Sequence, residues 1–106
     1  MHAAVSSKRD ALAELCRRFH VRRLEVFGSA ARSEDFDAQR SDADFLIEFE
    51  PDVTPTITFL VDLEDALQHE LGRPVDVMER QVIEASPNYL RRRRILAEAE
   101  PVYVAG

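Results

Sequence analysis

The chain has 106 residues, 45% of them hydrophobic, with 14 Lys and Arg against 20 Asp and Glu for a net charge of −6. This excludes a disordered chain and fits one domain, residues 1–106, that buries a modest core without staples. The acidic balance argues against a general binder of nucleic acid or anionic membrane, both polyanions, and the lone Cys16 excludes a disulfide framework or a cysteine-rich zinc site.

No apolar run approaches the ~20 residues of a membrane span. The opening "MHAAVSSKRDALAELC" lacks a signal-peptide core, so a cytoplasmic location is expected.

In chain order, Ser6 or Ser7 can cap a first helix, and Leu12, Leu15, Cys16 and Phe19 line one face of it. The stretch "RRLEVFG" reads as a short strand with Leu24 and Val26 on one side, ended by Gly28. "SAARS" then starts a helix, with Ser29 at its cap. "EDFDAQRS" is a polar loop whose Glu34, Asp35 and Asp37 read as solvated charges.

"DADFLIEFE" is a strand by strict alternation: Ala43, Phe45, Ile47 and Phe49 share one face. Pro51 ends it. A helix follows with the stripe Leu60, Leu63, Leu67 and Leu71, and Gly72 is placed to stop it. "RPVDVME" is a third strand, with Val75 and Val77 on one side. Ser86-Pro87 opens a last helix that runs to about Ala99, with Pro87 at its first position. Pro101 stops it, and "VYVA" can add a closing strand. The order helix, strand, helix, strand, helix, strand, helix predicts an α/β or α+β domain with a small sheet flanked by helices.

Residues two apart on a strand face the same way, about 6.5–7 Å apart. Asp42 and Asp44 therefore point together, away from the buried Phe45 and Ile47 side, and Asp76 points away from Val75 and Val77. If these strands are neighbours, three carboxylates converge. Their repulsion is relieved by a divalent cation, and oxygen-only ligands select hard ions such as Mg²⁺ or Mn²⁺. The Gly28-Ser29 turn, where a strand feeds a helix start, can seat a phosphate on backbone N–H groups. Arg32, one turn on, can pair with a phosphate. A phosphate seat beside acid-held metals points to phosphoryl or nucleotidyl transfer, with two ions activating the attacking oxygen and stabilising the leaving pyrophosphate.

"GSAAR…SDADFLIEF" with the later "PVDVM" resembles the minimal nucleotidyltransferase (MNT) group of the DNA polymerase beta-type superfamily. The resemblance runs from about Leu24 to Asp76, with a softer match in "RRRRILAEAEPVYV". Gly28 and Ser29 match the phosphate-binding pair, Asp42 and Asp44 the paired metal ligands, and Asp76 the third carboxylate. Twelve residues, Ala30 to Ser41, separate the two motifs, against ten in the common form. The resemblance implies a mixed sheet in an αβαβαβα nucleotidyltransferase fold and transfer of AMP from ATP with Mg²⁺. It also implies a helical HEPN toxin as partner, adenylylated typically on a tyrosine by the MNT protein acting as antitoxin.

Each part has a plainer reading when taken alone. Gly28-Ser29 is a common strand-to-helix turn, Asp42 and Asp44 a solvated strand entrance, and Arg32 an exposed helix residue. Arg91 to Arg94 point in four directions on a helix and read as solvated or ion-paired surface before phosphate or partner contacts. Asp62, Glu64 and Asp65 fall on the outer side of their helix. His2, His20 and His69 have no ligand-like spacing, and Cys16 fits the core. The competing functions are a non-catalytic antitoxin that masks its toxin and a small-molecule nucleotidyltransferase. Association into homo- or hetero-oligomers stays open.

Overall fold

The computed structural model describes residues 1–32 and 42–105. Among them run α1 (Ala3–Ser6), α2 (Arg9–Arg18), β1 (Val21–Phe27), α3 (Ser29–Arg32) and β2 (Ala43–Phe49), then α4 (Ile57–Leu71), β3 (Val75–Glu79), α5 (Arg80–Glu84), α6 (Tyr89–Glu98) and β4 (Glu100–Val104). The loop with Glu34, Asp35 and Asp37 lies outside the described residues. The strands form one mixed sheet in the order β3-β2-β1-β4. β1 pairs antiparallel with β2 and β4, and β2 pairs parallel with β3. A parallel pair needs a crossover, which α4 supplies. No helix among the described residues is long and apolar enough to cross a membrane.

The alternation expected for the strands is what the sheet uses. Ala43, Phe45 and Ile47 of β2, Leu24 and Val26 of β1 and Val75 of β3 are buried in one core with Leu12, Leu15 and Cys16 of α2 and Leu63, Leu67 and Leu71 of α4. The opposite face carries a smaller second core that the alternation alone did not announce. Phe27 and Leu46 meet Ile83 of α5 and Ile95 of α6 there, with Met78, Leu96 and Ala99 packed around them. Glu25 is buried on β1 and is held by the Arg80 guanidinium at the start of α5. The result is three layers, with α2 and α4 on one side of the sheet and α5 and α6 on the other.

Several helix ends differ from expectation. Neither Ser6 nor Ser7 caps the start of α2: Ser6 ends α1 and Ser7 is its C-cap, and α2 begins after Lys8, which makes no side-chain cap. The chain turns helical earlier because the His2 imidazole accepts the Ala4 N–H (2.9 Å), which starts α1 and buries Val5. The last helix begins at Tyr89, because the Asn88 side chain accepts the Arg91 N–H (3.1 Å) and takes the cap position. Ser86 and Pro87 stay in the turn before it. Gly72 is the left-handed stop of α4, with φ of 67° and its N–H bonded to the Gln68 carbonyl at 2.8 Å. Pro101 lies in β4, an edge strand, where a residue without an N–H is tolerated.

Leu67 is fully buried, while Ile57, on the same helix, is 82% exposed. Leu67→Ala is expected to lower unfolding free energy by about 2–5 kcal/mol, and Ile57→Ala to change it by less than about 0.5 kcal/mol. Urea denaturation followed by circular dichroism checks both values.

Candidate active site

At the end of β1 the backbone turns sharply through Gly28, whose φ is 69°. Its carbonyl accepts the N–H groups of Ala31 and Arg32, both at 3.1 Å, and so starts α3. Ser29 is therefore the first helical residue and not the cap. Ala30 and Ala31 bury their methyl groups in the main core and fix the turn in place. A side chain at Gly28 would meet Asp44: an added Cβ would stand 2.8 Å from Asp44 Oδ2. The glycine is required twice, by its φ and by this close approach.

Register sets the acids. Asp44 is the direct partner of Phe27 across β1–β2 and of Asp76 across β2–β3. Adjacent strands lie about 4.8 Å apart, so Asp44 and Asp76 sit side by side on the face opposite the main core. Asp42 is exposed just before β2. Burial pushes the Asp44 carboxyl up from its ordinary value, the charges of Asp76 and then Asp42 push it further, and Arg32 pulls it back in part.

Asp44 and Asp76 open into a cavity of about 450 Å³ together with Gly28, Ser29 and Arg32. Its far wall is α6, through Arg91, Arg94, Ile95 and Glu98. Asp42 is not part of this lining. The arginine run thus divides as its four directions require, but two of its members reach the cavity. Arg92 donates to the Ser86 carbonyl at 2.9 Å and lies 5.3 Å over the Tyr89 ring, and Arg93 is exposed. The spacing held the signal: residues 91, 94, 95 and 98 recur at three, one and three, one helix face, with Ile95 as its buried anchor. Arg32 is ion-paired to Glu98 at 2.8 Å. A smaller cavity of about 190 Å³ at the other end of β2, beside Glu48, Glu50 and Glu79, has no basic residue in its lining.

Among the described residues no three acidic, histidine or cysteine side chains form a ready metal cage. Two neighbouring carboxylates at an open cavity still fit Mg²⁺ or Mn²⁺, which complete their shells with water and substrate phosphates. Burial first, and the charges of Asp76 and Asp42 after it, disfavour the Asp44 carboxylate, and a cation beside it would offset both. Arginines and a glycine turn opposite these acids can receive an anion, so the hollow suits a metal–polyphosphate.

A family model described as "Nucleotidyltransferase domain" matches residues 8–102, which take in every element of this hollow. The chain belongs to the nucleotidyltransferase domain family. Protein adenylyltransferase MntA of Thermococcus cleftensis (strain DSM 27260 / KACC 17922 / CL1) is 36% identical over 72 residues, 68% of this chain and 69% of its own length. A solved structure of a protein assigned as a minimal nucleotidyltransferase superposes with a TM-score of 0.71 at 33% identity, covering 95% of this chain and 96% of its own. The complex of a tri-AMPylated Shewanella oneidensis HEPN toxin with its MNT antitoxin shares the fold, with a TM-score of 0.62 at 14% identity over 93% of this chain and 71% of that one. Family membership makes the chain a nucleotidyltransferase, and its mixed sheet flanked by helices is the nucleotidyltransferase fold.

Two outcomes follow for the nucleotidyltransferase without metal. Gly28→Ala is expected to destabilise it by about 1–2 kcal/mol from the left-handed backbone alone, plus the Asp44 clash. In an Asp44→Ala background only the backbone part should remain, and chemical denaturation of the four proteins reads the difference. Asp44→Asn is expected to raise the melting temperature at pH 7. The raised Asp44 pKa means that protonation favours the folded state, so its stabilising effect is complete below the ordinary value of 3.8 and lost as pH rises through the folded value. The advantage of the Asn variant should therefore shrink as pH falls toward 4, in melts taken across that range.

Proposed function

We propose that this nucleotidyltransferase moves AMP from ATP to a hydroxyl of a partner protein, a tyrosine of a helical HEPN toxin, and so acts as an antitoxin. The observation that carries the reading is one hollow that combines the Gly28-Ser29 turn, the Asp44–Asp76 pair and arginines. The partner is supported by the relatives, which include a protein adenylyltransferase and an MNT antitoxin in complex with an AMPylated HEPN toxin.

In this reading the Gly28-Ser29 backbone and the Ser29 hydroxyl hold the triphosphate, and Arg32 adds charge to it. Asp42, Asp44 and Asp76 hold two Mg²⁺ ions, with Mn²⁺ as a substitute. Bound there, the metal supplies charge neutralisation for the phosphates and lowers the acceptor's pKa. Asp76 faces the acceptor and takes the hydroxyl proton, which a phenol with a pKa near 10 does not release readily at pH 7. The acceptor oxygen bonds to the α-phosphorus, the bond to the β-phosphate oxygen breaks, and pyrophosphate leaves. Asp42 enters from the rim, since it precedes β2 and is exposed.

A non-catalytic masking role is the competing function. The side-by-side placing of Asp44 and Asp76 at the cavity speaks against it, because an unused acid pair only costs stability through repulsion. The test is to incubate the purified protein with labelled ATP, Mg²⁺ and the HEPN partner. Label on the partner supports transfer, and its absence beside a silenced toxin favours masking. Asp76→Asn should still bind ATP with metal yet transfer about 10²–10⁴-fold more slowly at saturating ATP, the usual contribution of a positioned base. Near-normal transfer would place Asp76 outside the chemistry.

A further inference from the structure

Glu98 is a carboxylate in the wall of a cavity that the preceding reading assigns to phosphates. Its two oxygens are divided between two arginines: Oε2 takes Arg32 Nη1 at 2.8 Å and Oε1 takes Arg94 Nε at 3.5 Å. These arginines come from different elements, α3 and α6, and all three side chains line the same cavity as Gly28 and Ser29. Arg91, one turn before Arg94, faces the cavity with no ion-pair or hydrogen-bond partner for its side chain among the described residues.

Local helix physics does not favour Glu98 where it is. It ends α6, and a negative charge in the last turn opposes the helix dipole. The arginines supply the compensation. The cavity lining holds three carboxylates, Asp44, Asp76 and Glu98, and three guanidiniums, Arg32, Arg91 and Arg94. Asp44 and Asp76 are the pair proposed to face metal. Glu98 is set apart from them because its carboxylate already bridges cations. Two guanidiniums gathered around two oxygens are the arrangement that a phosphate receives from arginines.

We propose that Glu98 is a built-in placeholder for the nucleotide's triphosphate. It gathers Arg32 and Arg94 into an anion seat in the free protein, and incoming phosphates take over both arginines, with Arg91 added, while Glu98 is released. The Arg94 side chain is 73% exposed and the Glu98 side chain 23% exposed, so the pair can exchange partners without disturbing the core. Glu98 thus sets nucleotide affinity by competition, and Arg94 and Arg91 are phosphate-binding residues contributed by α6. This inference rests on the nucleotidyltransferase reading of the cavity.

The test is titration calorimetry of the full chain with ATP and Mg²⁺, and separately with inorganic tripolyphosphate. Glu98→Gln removes the competing charge and keeps the shape, and is expected to bind both probes about three- to tenfold more tightly, the scale of two partly exposed ion pairs released. Arg94→Ala should bind them about tenfold more weakly, and in its background the gain from Glu98→Gln should shrink. In steady-state assays with the partner protein, Glu98→Gln should lower KM for ATP and leave kcat within about twofold, a split that loss of structure would not give. Should the Gln variant fail to fold by circular dichroism, Glu98→Ala answers the same question. ATP affinity unchanged or weakened in the Glu98 variant, with normal wild-type binding, would overturn the placeholder and leave Glu98 as an orienting residue. A wild type that binds no ATP would overturn the underlying reading of the cavity, and this inference with it.

Discussion

The buried face of the sheet forces two carboxylates side by side on its other face. Asp44 and Asp76 are direct partners across the parallel pair of β2 and β3, and nothing about their own charges favours that. The register is set from the other face of the sheet. Phe45, Ile47, Ala43 and Val75 must reach the core under α2 and α4, and burial of each larger side chain contributes roughly 1.5–3 kcal/mol. A slip of one residue would turn these side chains to the wrong face. The core therefore dictates where the acids go, and the repulsion between them is a local cost offset by packing elsewhere.

The second face of the sheet does different work. Its core is small, and Phe27, Leu46, Ile83 and Ile95 are enough to seat α6 across the end of the sheet. Ile95 anchors the helix, so its neighbours 91, 94 and 98 are carried to the cavity on the same face. The pair of buried Glu25 and half-buried Arg80 ties α5 to the middle of β1 and steadies the chain on its way to α6. The hollow has acids on its sheet side and arginines with one carboxylate on its helix side. That division of charge matches a metal–polyphosphate better than either ion alone.

Much of this could be read from the residues. The alternation in "DADFLIEFE" and "PVDVM" marked the main-core face of β2 and β3, because side chains along a strand have a strict period of two, whereas the burial of Leu46 on the other face depends on α5 and α6. The stop of α4 at Gly72 followed from a left-handed position that only a residue without a side chain takes easily. Helix starts were harder, since Asn88 and His2 take the capping role that nearby serines could equally fill by residue type, and only the three-dimensional path decides. The short α5 escaped notice because a five-residue helix shows too little period to stand out. The role of α6 was hidden for another reason. Four consecutive arginines look like solvent-facing charge, and the three-one-three spacing of residues 91, 94, 95 and 98 singles out two of them only once Ile95 is known to be buried, a tertiary fact. The Gly28 approach to Asp44 likewise depends on two strands that meet only in the folded chain.

The parallel pairing also sets an order in time. β2 and β3 cannot join until α4 has crossed between them, and the arginine–glutamate wall closes only when Glu98 meets Arg32, 66 residues earlier. Contacts so distant in sequence form late, after the loop-closure entropy has been overcome. During synthesis β1, the glycine turn after it and β2 can emerge and pair while the rest of the hollow is still inside the ribosome. A nascent chain would thus expose its first acids long before it could grip a nucleotide, and catalytic competence would arrive as a single late event rather than grow with length.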